Sequence, residues 1–162
     1  MPIYSPSDQV NFGTSRTPGS SALQRQTVNL TGAQLVQLDG TAVTLVQAPG
    51  SGFMLMPIAA MVSVYAGANA TTDGGGNIQF NVGTRLYNLA SGALTCGAGN
   101  NTHAYYVFPN AQSTSGAPPT DENAALTLNK AGNNVANVGN TSTCSIEIFY
   151  RTVSISPVPV TA

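Results

Sequence analysis

The chain has 162 residues, enough for one domain and short for two, and a domain of that size needs neither metal nor disulfide to fold. Only five Lys/Arg and six Asp/Glu occur, 7% of the chain against about 25% in a typical soluble protein. A formal net charge of −1 leaves no polybasic footprint, which argues against nucleic acid and anionic membranes as partners.

The predicted elements begin with an arm over residues 1–25, where Pro2, Pro6, Pro18, Gly13 and Gly19 interrupt a serine-rich stretch. Such a segment buries too little apolar surface to offset its own ordering entropy, so a partner must order it or it stays unfolded. Strands are expected from residue 26 onward. Residues 26–30 and 34–38 alternate polar and apolar around Thr31-Gly32-Ala33, and 41–48 reads as another strand before the turn Pro49-Gly50-Ser51-Gly52. The long apolar run 53–65 is the next strand. Pro57 cannot donate to a ladder, so the strand should be bulged there or lie at an edge. Its near-continuous apolar character suggests that both faces are covered, one by the domain core and the other by a neighbouring subunit.

After a glycine-rich loop over 66–76, residues 77–82 alternate with Ile78, Phe80 and Val82 on one side. Shorter strands are expected at 86–89 and 93–96, and an aromatic one at 103–108 ends at Pro109. A long loop follows over 110–120, then strands at 124–128 and 143–155. The last carries Cys144, Ile146, Ile148 and Tyr150 on one face. No segment has a 3.6-residue period with caps. The expectation is an all-β chain, a β-sandwich or jelly roll over 26–155, with the arm before it and an extended tail over 156–162.

The residues that catalysis requires are scarce. His103 is the single histidine and falls in an aromatic strand, where a packed or surface role is the ordinary one. The acids are Asp8, Asp39, Asp73, Asp121, Glu122 and Glu147; Asp121 and Glu122 are adjacent in sequence and should diverge rather than face each other across a cleft. Gly74-Gly75-Gly76 lacks the Lys-Ser/Thr of a phosphate loop. No clustered His and Cys ligands suggest a metal, and no cofactor is expected. Cys96 and Cys144 form no CxxC site and should be reduced thiols. Residues 1–6 carry neither a basic region nor an apolar one, so no secretory signal is expected, and the longest apolar run falls short of the ~20 residues of a membrane helix.

What remains is contact surface. Arg16 and Arg25 suit bidentate bonds to a partner's carboxylates, or are simply solvated. Met54, Met56 and Met61 suit a core or a subunit interface alike, as do Tyr105, Tyr106 and Phe108. So little charge on an isolated monomer favours association, which placement inside a permanent assembly would satisfy.

Two stretches carry a resemblance. One runs from residue 35 through Thr41-Ala42-Val43-Thr44-Leu45-Val46-Gln47-Ala48-Pro49-Gly50-Ser51-Gly52 into the proline-bearing strand that ends at Tyr65. The other joins Glu122-Asn123-Ala124-Ala125-Leu126-Thr127-Leu128-Asn129 to Ser145-Ile146-Glu147-Ile148-Phe149-Tyr150-Arg151-Thr152-Val153. Together they resemble the head decoration (cement) proteins and related jelly-roll modules of tailed bacteriophages. The resemblance implies a non-enzymatic virion protein on the phage head surface, assembled in the host cytoplasm. It further implies a homotrimer bound to the major capsid protein. The alternative is a fibre or tail module recognising a host surface through loops 66–76, 98–102 and 110–120.

Overall fold

Period-two alternation builds the first sheet of this computed structural model, which describes residues 22–72, 75–89, 92–109, 121–132, 135 and 141–155. Strand β1 (Gln24–Thr31) pairs antiparallel with β8 (Thr143–Ser154) along its whole length, from Gln24 opposite Tyr150 to Thr31 opposite Thr143. Cys144, Ile146, Ile148 and Tyr150 of β8 all face the core and are buried. On the other side of β8 lies β3 (Phe53–Tyr65), and beyond it the edge strand β6 (Asn101–Val107). The first sheet therefore has the order β1-β8-β3-β6.

The second sheet has the order β2-β7-β4-β5, from β2 (Val43–Val46), β7 (Leu126–Lys130), β4 (Ile78–Val82) and β5 (Arg85–Leu89). Every connection except the tight β4–β5 hairpin carries the chain from one sheet to the other. This is a jelly roll, an all-β sandwich whose two four-stranded sheets enclose one core. Ile78, Phe80 and Val82 supply one wall of that core, fully buried. Phe80 and Tyr87 pack against Phe108, which meets the two rings edge to face at centroid distances of 5.1 and 5.0 Å.

Pro57 does produce a bulge. Pro57 pairs with Tyr150 and Ala59 with Phe149, so Ile58 is an extra residue in the ladder. The extra residue reverses the phase of the strand. Before it, Leu55 and Pro57 face inward; after it, Ala60, Val62 and Val64 do. Met56, Met61 and Tyr65 are consequently exposed on the single chain, on the face expected to meet a neighbouring subunit.

Residues 34–38 are not a strand. They fall in a one-turn helix, α1 (Gly32–Val36), and the turn that follows it. Thr31 is its N-cap: the Thr31 hydroxyl accepts from the Gln34 amide at 3.4 Å, and the Gln34 side-chain oxygen accepts from the Thr31 amide at 2.9 Å. That reciprocal pair is the Thr-x-x-Gln capping box. Alternation and a helical i, i+3 spacing both fit Leu35 and Leu38, and burial of both beside β1 and β8 selects the turn.

Other bounds move by a few residues. β1 starts at Gln24, inside the segment expected as arm, and β7 begins at Leu126 rather than 124. The stretch 93–96 is a turn with one bridge, Cys96 to Thr71. The expected arm up to residue 21, the loop 110–120 and the tail 156–162 lie outside the described residues.

Candidate interaction surface

Outward-facing side chains of the first sheet follow directly from the strand register. One row runs Tyr105–Met61–Glu147–Thr27 across β6, β3, β8 and β1, and the next runs Val107–Ala59–Phe149–Arg25. Tyr105 and Val107 are 68% and 60% exposed, the highest values among the large apolar side chains described. Met56, Met61 and Tyr65 extend the apolar surface along β3. Three charged side chains share this face: Arg25 and Glu147 form an ion pair between β1 and β8, and Arg151 stands opposite Met56.

The residues expected at a contact divide accordingly. Met56 and Tyr105 share the outward face, and Met54, half-buried, stands on the same side at the start of β3. Tyr106 is turned the other way, because neighbours on a strand alternate. Its ring is 6.1 Å from Phe80 in a stacked arrangement and 5.1 Å from Phe108 edge-on. Arg25 belongs to β1 and is held by Glu147, so its charge is already partnered within the chain. Arg16 lies outside the described residues. Met61, named with Met54 and Met56 as suiting a core or an interface, is on the outward face too, whereas sequence reasoning passed over Tyr65 and Val107 as contact residues. The alternation around Tyr105 was a usable signal for Val107, but Tyr65 needed the bulge.

Chemistry-bearing groups elsewhere are engaged in structure. The His103 ring nitrogen Nδ1 lies 2.9 Å from the Ser63 hydroxyl, in an outward row that continues to Ser145 and Asn29 and so contains no carboxylate. Asp121 and Glu122 diverge. Asp121 turns inward to Arg85, while Glu122 accepts from the Gly52 amide at 2.7 Å and the Ser51 hydroxyl at 3.2 Å. Lys130 is buried, with its ammonium on the Gly75 carbonyl.

The two thiols flank Val64 and are unbridged. Cys96 donates to the Asn100 carbonyl at 2.9 Å, and Cys144 pairs with Val64 across β3 and β8. Burial pushes the Cys144 thiol up to about 12, so it is no nucleophile at neutral pH. Burial also raises the phenols of Tyr87 and Tyr106 above their usual value. Among the described residues, no three His, Cys, Asp or Glu side chains gather as a metal-holding group, and no helix is long and apolar enough to cross a membrane.

Comparison with known proteins adds a structural likeness. No family model matches the chain, and no curated protein matches it. Among solved structures it is similar to a chain of the cyanophage Pam1 capsid asymmetric unit, at 20% identity and a TM-score of 0.39, covering 93% of this chain and 99% of that one.

Proposed function

We propose that this chain is a structural protein of a bacteriophage particle, a capsid cement or decoration protein that stabilises the head by bridging major capsid subunits. It acts without catalysis or cofactor, on the head surface, as a homo-oligomer put together in the host cytoplasm. The observation that carries this reading is the outward face of the first sheet: exposed Tyr105, Val107, Met61 and Met56 within a chain only 7% charged. A protein held permanently against neighbours needs apolar contact area and main-chain pairing more than it needs charge. Residues 1–21, rich in proline and serine, suit an extended arm laid along a capsid subunit.

The test is binding to phage heads that lack the protein. Full-length chain should coat them in many copies, and a variant without residues 2–21 should keep the folded domain but lose the heads. Unchanged occupancy of the truncated chain would overturn the arm's role. Adherence to host cells with no affinity for heads would instead favour a fibre or tail receptor-binding module.

A further inference from the structure

We infer that strand β6 is a self-association edge, which pairs antiparallel with β6 of a second copy and joins the two first sheets into one continuous sheet. Two hydrogen bonds fix which way the strand's main chain points. Phe108 N–H donates to the Ile58 carbonyl at 3.0 Å and Ala66 N–H donates to the Asn100 carbonyl at 3.2 Å. Even-numbered residues of β6 therefore turn their main-chain groups toward β3. Asn101, His103, Tyr105 and Val107 turn theirs to the open side, where no partner occurs among the described residues.

The other three sheet edges are guarded, whereas among the described residues nothing covers β6. β1 carries the Arg25–Glu147 pair and is flanked by α1. β2 is four residues long with a register irregularity, and β5 is five residues long and opens with Arg85. β6 offers seven residues with no Lys, Arg, Asp, Glu, Gly or Pro. An uncharged, regular edge of this length is one that a lone monomer normally protects.

The chemistry of the strand selects a second copy as its occupant. With the two-fold axis at Ala104, Asn101 meets Val107 of the other copy and His103 meets its Tyr105, so no like charges oppose each other. That register uses every open N–H and C=O group of the strand and draws both Tyr105 and Val107 into the contact. A formal charge of −1 per chain leaves almost no repulsion between copies, and the edge carries no fixed charge to select an acidic or basic partner. The inference concerns the purified protein and stands apart from the capsid reading.

Light scattering of the full chain after size exclusion should give twice the 16.5 kDa chain mass. Tyr105→Lys sets like charges into the joint at a surface position. It should weaken the dimer at least about tenfold while the melting curve stays close to that of the parent. Ala104→Cys places a thiol at the axis and should cross-link two copies under mild oxidation, since the chain's own cysteines are buried. A monomeric or trimeric parent at tens of micromolar, an oligomer untouched by Tyr105→Lys, or the absence of an Ala104→Cys cross-link would each overturn the pairing.

Discussion

The carboxylate of Asp121 holds Arg85 and the turn before it together: one oxygen takes the Arg85 guanidinium and the other accepts the Thr84 amide at 3.3 Å. Asp121 is buried, and its removal or that of its partner should have unequal costs. Arg85→Met strands a buried carboxylate and should cost about 3 kcal/mol. Asp121→Asn keeps an acceptor for Thr84 and should cost about 1–2 kcal/mol. Urea unfolding of the two variants reads the difference, and the reverse order would contradict the burial argument.

Gly76 stands where the chain between β3 and β4 passes closest to the end of β7. A Cβ there would lie 1.6 Å from the Ala131 carbonyl oxygen, at a φ of +84°. Gly76→Ala should destabilise the fold by more than about 2 kcal/mol, because backbone has to move. Gly50, at φ +103° with no atom within 4 Å of the added methyl, is the control. Gly50→Ala should cost only about 1 kcal/mol, and thermal melts will separate the pair.

Alkali should unfold the protein through Cys144. The folded thiol is raised from 9.0 to about 12, so the folded state keeps a proton that the unfolded chain gives up. That contribution is whole below about pH 9 and is lost progressively as pH rises toward 12. Burial raises Tyr87 and Tyr106 as well, which acts in the same direction. Cys144→Ala should flatten the fall of melting temperature between pH 9 and pH 11; an unchanged slope would assign the effect to the tyrosines.

Loss of the cap on α1 should be small and local. Thr31→Ala removes the hydroxyl that accepts from the Gln34 amide and should cost about 1 kcal/mol. Hydrogen exchange should speed up at Gln34 while the amides of β4, in the other sheet, stay protected.

Much of the fold was legible because burial on one face writes itself into a strand as alternation. Ile78, Phe80 and Val82, and likewise Cys144 to Tyr150 in steps of two, declare which face turns inward before any partner strand is known. The same logic makes Tyr105 and Tyr106 opposites. Their sequence neighbourhood does not say which of them faces the core; Phe80 and Phe108, brought together from separate strands, decide it.

By itself, then, the sequence determined an all-β chain with little charge, a bulge or an edge at Pro57 and few residues for catalysis. Tertiary structure alone decided three things. It turned Leu35 and Leu38 into one face of a capped turn, since two periods fit the same residues and only burial beside β1 and β8 chooses between them. It joined Asp121 to Arg85, a pairing with no trace in local pattern. It also set the phase of β3 after Ile58, which is why Met61 and Tyr65 stand on the surface beside β6 rather than in the core.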